Sequence, residues 1–402
     1  MVPATALDMT FEEALAAARD TPRLALLEIE VERAEAALLT AGTYPWNPEV
    51  EIEAAERSGS DDSSTDRGVS LSQRLELGGK RGQRRAASEA SLEAARAVFA
   101  QARAETLASA VLAFAEAVER REGLAIEEAD AALARDFAEM VERRLEAGSA
   151  TAIDRALAQA GLARAERGLA RAAGEYRAAQ ARLAESVGQL ERARVVPAGG
   201  LPALPDPPSL DEALAAALAS RGDLAAASAR IEAAEARSRL ARALRYPDLT
   251  VAAKSEREEG DEITGLAVSV PLPLFNRGQG ARAEAEVEVM AAKSERAVAE
   301  LRVRREVAAA HGRLVAAVEA RRMAETLGVT SLEEGLGLLE RAFEAGKIGA
   351  SELLLYRREL VEGRRQAVAA EGDVWEAAVA LAAAAGGSLP GMDWIDEQET
   401  ER

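Results

Sequence analysis

The chain has 402 residues, a formal net charge of −19, no cysteine and one histidine. The charge argues against a nucleic-acid surface, and the missing cysteines exclude disulfides and any Cys/His metal site. Hydrophobic residues make up 48% but aromatics only 3%, so alanine supplies much of the apolar content and long, closely packed helices suit it better than a compact globule.

Met1 to Asp8 lacks a basic stretch followed by an apolar core, so no leader is read there and 1–8 stands as an N-terminal tail. No apolar run is long enough for a transmembrane helix. Thr10 and Glu13 have the spacing of a capping box and open a helix predicted to run to about Thr43, where Tyr44-Pro45-Trp46-Asn47-Pro48 stops it. Val50, Ile52 and Ala54 then alternate with Glu49, Glu51 and Glu53, which predicts a strand at about 48–57 with one apolar and one acidic face. After a polar loop, Val69, Leu71, Leu75 and Leu77 alternate with Ser70, Ser72, Arg74 and Glu76, a returning strand at about 67–77. Gly78-Gly79-Lys80-Arg81-Gly82 reads as the bend into a helix that reaches about Glu146, with Leu107, Val111, Phe114 and Val118 at coiled-coil spacing. Roughly 65 residues of helix span about 97 Å. A turn at about 145–154 carries Gly148 as a C-cap and Thr151 with Asp154 as a capping box, and a helix continues to about Val187.

The chain then repeats itself. Thr10-Phe11-Glu12-Glu13-Ala14-Leu15 returns as Ser209-Leu210-Asp211-Glu212-Ala213-Leu214, and Pro48-Glu49-Val50 as Pro247-Asp248-Leu249, both at an offset of 199. Leu71-Ser72 matches Val268-Ser269, and Glu146-Ala147-Gly148 matches Glu344-Ala345-Gly346. Anchors that hold register through two β-like segments mark an internal duplication. Repeat 1 is 9–194 and repeat 2 is 209–387, joined by a proline-rich linker at 195–208 and followed by a tail at 388–402. The second copy predicts strands at about 247–256 and 263–274 and a helical tip at about 343–352. Pro48, Pro247, Pro271 and Pro273 mark the transitions between strands and helices.

Each repeat thus reads helix, strand, strand, long helix, turn, helix: mainly α, with four amphipathic strands per chain. Strands of about ten residues match a tilted membrane crossing. Four strands cannot close a barrel, and an open edge in hydrocarbon leaves unpaired backbone groups, so several copies must share one barrel; spacing alone leaves eight, twelve or sixteen strands open. Glu49, Glu51 and Glu53 would face its lumen and the apolar side would meet lipid. No phosphate-binding loop, nucleophile elbow or paired catalytic acids are present, so the chain does not read as an enzyme, and no cofactor or metal site is assigned. His311, with no second ligand nearby, reads as an ordinary helix residue. The alternative reading is a soluble or periplasmic coiled-coil scaffold or adaptor without a pore, which leaves the two matched hairpins unexplained.

The duplication, the hairpins and the long helices resemble the TolC family of outer-membrane efflux factors. Leu71-Ser72-Gln73-Arg74-Leu75-Glu76-Leu77-Gly78-Gly79-Lys80-Arg81 and Val268-Ser269-Val270-Pro271-Leu272-Pro273-Leu274-Phe275-Asn276-Arg277-Gly278-Gln279-Gly280 look like the branch serving cobalt–zinc–cadmium cation efflux. The resemblance implies a homotrimer whose twelve-stranded barrel lies in the outer membrane with a long periplasmic tunnel. It also implies a periplasmic adaptor (a membrane fusion protein) and, through it, an inner-membrane pump of the resistance-nodulation-division type. Heavy-metal cations are then the implied cargo. The helical tips would meet the adaptor, with Gly148, Thr151, Gly346, Ser351 and Leu353 as contact positions. Asp154 and Glu352 stand where the family narrows its periplasmic aperture with acids; Leu355 stands where a second acid is expected.

Overall fold

The computed structural model describes residues 7–58, 63–189, 194–258, 261–327, 335, 337–339, 341–343, 345 and 347–387. Its helices are α1 (Phe11–Ala18), α2 (Pro22–Gly42), α3 (Lys80–Glu146), α4 (Ala152–Ser186), α5 (Leu210–Ser220), α6 (Gly222–Ala243), α7 (Gln279–Leu327) and α8 (Ala350–Ala384). Its strands are β1 (Leu7–Met9), β2 (Glu49–Ser58), β3 (Ser63–Leu75), β4 (Val195–Pro197), β5 (Leu249–Glu258) and β6 (Asp261–Ser269). The molecule is mainly helical and the sheet portion is small. Among the described residues no helix is long and apolar enough to cross a membrane.

Local signals start the helices. Thr10 and Ser209 cap α1 and α5 reciprocally: each hydroxyl accepts the N–H of Glu13 or Glu212, whose carboxylate accepts the cap's own N–H at 2.8 and 2.9 Å. The single helix predicted from Thr10 to Thr43 is instead two, α1 and α2, broken at Arg19-Asp20-Thr21. Pro22 has no N–H to donate back to Ala18 and suits the first helical position, so it begins a new helix. The returning strand of the second hairpin, predicted to reach 274, ends at Ser269, because Pro271 and Pro273 cannot donate to a ladder. The N-terminal tail and the linker each hold a short strand that the sequence reading lacks. β1 and β4 pair in parallel, Leu7 with Val195 and Met9 with Pro197.

The chain forms two compact units. One draws on Met1–Leu26, Ala100–Arg221 and Leu301–Arg402. Its core is aromatic where α1, α3 and α8 meet: Phe11 stands edge-on to Phe114 at 5.6 Å and to Trp375 at 6.1 Å between ring centroids. Leu107, Val111, Phe114 and Val118 of α3 are all buried here. Arg121 donates to the carbonyls of Pro197 and Gly199, both at 2.8 Å, and ties the β4 end to α3. The end of α8 docks on the α5–α6 break. Ser220 Oγ donates to Ala385 O at 2.8 Å, and Gly386 (φ +80°) lies so close that a Cβ would stand 2.9 Å from that hydroxyl.

The other unit is Leu27–Phe99 with Gly222–Glu300. It contains a four-stranded antiparallel sheet in the order β2–β3–β5–β6, so the two hairpins join through β3 and β5.

Candidate functional site

Two places carry chemistry of interest, one in each unit. In the sheet, Glu49, Glu51 and Glu53 lie directly opposite Ser72, Ser70 and Gly68 of β3, which in turn oppose Ala252, Lys254 and Glu256 of β5. Directly opposed residues share a face, so this side is polar across three strands. Lys254 Nζ holds Glu256 at 3.1 Å within it. The other side carries the row Val50–Leu71–Ala253–Leu266 and, beside it, Val251–Val268. Val50 is 64%, Leu71 52% and Leu266 84% exposed, so among the described residues nothing covers this apolar side of the sheet. Among the described residues, the outer edges of β2 and β6 are also unpaired.

All four strands meet their helices at the same end of this antiparallel sheet. Pro48 and Pro247 stand just before β2 and β5; Pro271 and Pro273 stand just after β6. The bend at Gly78-Gly79 uses positive φ at both glycines and is locked by charges that sequence reasoning missed. Lys80, buried, donates to Asp248 Oδ1 at 2.7 Å, and Arg84 holds Glu76. Asp248 is the repeat counterpart of Glu49, so one copy of the position is an exposed strand acid and the other a structural anchor. The Tyr44 hydroxyl accepts from Glu76 N–H at 2.7 Å and donates to Arg74 O at 2.9 Å, where β2 no longer supplies a partner.

The second place is the turn from α3 to α4. Gly148 takes φ +72°, its N–H donates to Leu145 O at 2.9 Å, and Ser149 N–H donates to Arg144 O at 2.8 Å, which is the Schellman arrangement. Thr151 then caps α4: its N–H and hydroxyl both donate to Asp154 Oδ2, at 2.9 and 2.7 Å. The bond from the Thr151 N–H, followed by that from its hydroxyl, holds the Asp154 carboxyl below the usual aspartate range. In the corresponding turn, Gly349 is the N-cap of α8 and has no side chain to cap with; Ser351 and Glu352 are exposed in the first helical turn. Gly346 lies outside the described residues. Leu353 corrects the contact set: it is buried with Phe137, Val141, Ala158 and Phe343, so its side chain holds the turn together from within and is not available at its surface. The Phe137 and Phe343 rings pack at a 50° tilt with centroids 5.3 Å apart, and Arg144 lies over the Phe343 ring at 4.8 Å.

Farther along the same helices, two charged pairs join α3 to α8. Glu127, almost fully buried, meets Arg365; Arg357, also buried, meets Asp130 at 3.5 Å and donates to Leu133 O at 3.2 Å. Their partners lie more than 200 residues apart in sequence, and no local pattern announces them. His311 Nε2–H donates to Pro208 O at 2.9 Å. Among the described residues no group of three His, Cys, Asp or Glu side chains could hold a metal ion.

Comparison with known proteins matches this arrangement. The outer membrane efflux protein family matches twice, over residues 14–189 and 213–387. The cobalt-zinc-cadmium resistance protein CzcC of Cupriavidus metallidurans is 28% identical over 379 residues, 93% of this chain and 89% of that one. Two solved structures share the fold. A membrane protein from Pseudomonas aeruginosa superposes with a TM-score of 0.79 at 19% identity, over 93% of this chain and 92% of the other. The outer membrane protein VceC from Vibrio cholerae superposes with a TM-score of 0.78 at 21% identity, over 94% and 96%. With a family model covering both halves of its length, this chain belongs to the outer membrane efflux protein family.

Proposed function

We propose that this chain is the outer-membrane channel component of a tripartite efflux system, a passive conduit that performs no chemistry. Three copies close one barrel of twelve strands, and substrate passes through them from a periplasmic adaptor and an inner-membrane pump of the resistance-nodulation-division type to the exterior. The observation that carries this reading is the four-stranded sheet with two open edges and an exposed apolar side. In hydrocarbon each unpaired backbone group costs several kcal/mol, and only closure removes an edge. Neighbouring copies supply that closure by pairing β6 of one with β2 of the next.

In this reading Val50, Leu71 and Leu266 face lipid, and Glu49, Glu51 and Glu53 line the lumen, where their carboxylates stay hydrated. The two repeats, 9–194 and 209–387, each contribute one hairpin and one helical tip. Gly148, Thr151, Gly346 and Ser351 present the tip surfaces to the adaptor, while Asp154 and Glu352 flank the periplasmic aperture. Heavy-metal cations are the substrate class suggested by the name of the 28% identical relative, and the conduit passes them without a fixed ligand set.

Planar-bilayer recording on detergent-purified protein, with the oligomer mass measured on the same sample, tests the proposal. The expected result is stepwise ion conductance from a particle three times the 42.4 kDa chain mass. A water-soluble monomer without conductance overturns it in favour of a poreless scaffold.

A further inference from the structure

Ion pairs and hydrogen bonds order the helices of the sheet-bearing unit as α2–α3–α6–α7. Arg96 of α3 pairs with Glu35 of α2 at 3.0 Å, Arg239 of α6 donates to Gln83 of α3 at 2.9 Å, and Lys293 of α7 pairs with Glu235 of α6 at 2.9 Å. α3 is therefore an inner helix of this layer. Between α2 and α6, a trough of about 480 Å³ opens over it, within the size range of small-molecule sites.

The trough owes its depth to side-chain size. Ala95 and Ala233 contribute only methyl groups, while Leu27, Val98 and Phe99 stand higher around them. From Ser91 to Phe99 the trough follows eight residue steps of α3, about 12 Å. Arg230 and Arg237 also line it; they are two turns apart on one side of α6 and both are exposed. Arg237 reaches Ser91 Oγ at 3.5 Å, and neither arginine has an ion pair among the described residues. The acid at the rim, Glu30, is taken by Arg33. In a chain of net charge −19, two guanidinium groups without carboxylates beside an apolar trough make a local site of opposite sign.

We propose that this trough binds an amphiphilic anion, its alkyl or aryl body over Ala95 and Ala233 and its carboxylate or sulfonate on Arg230 or Arg237. A second copy of the chain is not the occupant. The outer helices of the layer are α2 and α7, as β2 and β6 are the outer strands of the sheet, so ring neighbours meet those edges and leave the trough over α3 open. Only this exclusion of a second copy rests on the conduit reading. The ligand chemistry stands apart from the exported cargo, and the site is distinct from both the tips and the barrel.

The test is calorimetric titration of the full chain in lipid nanodiscs with octanoate and with octyltrimethylammonium, subtracting empty discs. The two probes differ in head charge, and the ammonium carries the longer alkyl chain by one methylene, so chain length alone favours it over octanoate. Octanoate should bind tighter, by up to about fivefold, the range of an exposed ion pair. Arg230→Glu with Arg237→Glu should reverse that order, and Ala95→Trp should remove binding of both probes while helicity and oligomer mass stay unchanged. Equal binding of the two probes, or an order that survives the double reversal, overturns the site. Planar-bilayer conductance on the same preparations separates the two claims. Conductance without octanoate preference sinks the trough alone, and octanoate preference without conductance sinks the conduit alone.

Discussion

Replacing Gly168 by alanine should destabilise this chain, although alanine is the better helix former. At an interior helical position the exchange ordinarily stabilises by about 0.5–1 kcal/mol. At 168, however, the new Cβ would stand 2.3 Å from Glu127 Oε2 and 3.3 Å from the carboxyl carbon, with Arg365 Nη2 at 3.8 Å. Glu127 can turn away, toward a cavity of about 320 Å³ that it lines, only by loosening its pair with Arg365, because its side chain is 4% exposed and held by that guanidinium. Forcing an extra carbon into a filled site costs about 1–3 kcal/mol. Stripping a buried carboxylate of its partner costs about 3–5 kcal/mol; only part of that applies, because Arg365 is 36% exposed and can follow the displaced group. Allowing for the helix gain, the net loss should be about 1–3 kcal/mol. Gly174, in the same helix, has nothing within 4 Å of its would-be Cβ and supplies the control. Urea unfolding followed by helical circular dichroism should move the midpoint down for Gly168→Ala and up for Gly174→Ala. In a Glu127→Ala background the Gly168 exchange should become stabilising. A Gly168→Ala protein as stable as Gly174→Ala would refute the close packing of α3, α4 and α8 around this carboxylate.

Thr151→Ala removes a capping box and should cost about 1 kcal/mol, read as a lower urea midpoint. Asp154 has its carboxyl lowered by the same bonds. Its contribution is therefore present above the unfolded aspartate range and lost as pH falls through the folded value, so Asp154→Asn should flatten the acid side of the stability profile. Burial raises the Glu119 carboxyl, ahead of the opposing Arg120 and the reinforcing Glu116, Asp373 and Glu376. The folded state then binds this proton more tightly, favouring folding below the usual glutamate range and losing that advantage as pH rises through the folded value. Glu119→Gln should accordingly be more stable than the parent at neutral pH, with the gap closing toward pH 4; a constant gap across that window would contradict the assignment. If the proposed barrel forms with Glu49, Glu51 and Glu53 on its lumen, converting them together to glutamine should shift the bilayer reversal potential toward anions, and an unmoved potential would remove these acids from the proposed path.

How much of this was legible in the chain follows the range of the interactions. Thr151 and Asp154 are three residues apart, as are Thr10 and Glu13, so each capping box is written in one turn of sequence. The alternation of Val50, Ile52 and Ala54 with three glutamates is equally local, and β2 runs through it. The break at Arg19-Asp20-Thr21 is written in Pro22, which has no N–H for a helix interior and suits a first helical position, but the apolar pattern continues across it and masks the stop. Leu353 reads as a tip residue by position, yet its burial depends on Phe137 and Val141, over 200 residues earlier. The pairing of β1 with β4 and the Lys80–Asp248 bond are long-range in the same way. Alanine-rich helices add a further difficulty, since their faces differ little in hydropathy and periodicity barely separates the buried side from the exposed one.

The sheet and the helices beside it share one order, and this bears on how a ring would form. Strands run β2–β3–β5–β6 and their helices run α2–α3–α6–α7. The match follows from connections of four to nine residues, 43–48, 76–79, 244–248 and 270–278, since connections at one end of a sheet do not cross each other. Closing the sheet edge to edge between copies therefore brings α7 of one copy toward α2 of the next. Those two helices carry the exposed apolar residues such contact needs. Ile29 and Leu39 lie exposed on α2; Val287, Met290 and Val298 lie exposed at 3- and 8-residue steps along α7. If the proposed ring forms, these side chains leave water together with the strand edges, so barrel and tunnel should assemble in one cooperative step. Met290→Glu with Val298→Glu, far from any strand, should then abolish the oligomer and leave the monomer's helicity intact, as measured by mass photometry and circular dichroism. A stable ring carrying both charges would show that the strand edges alone drive assembly.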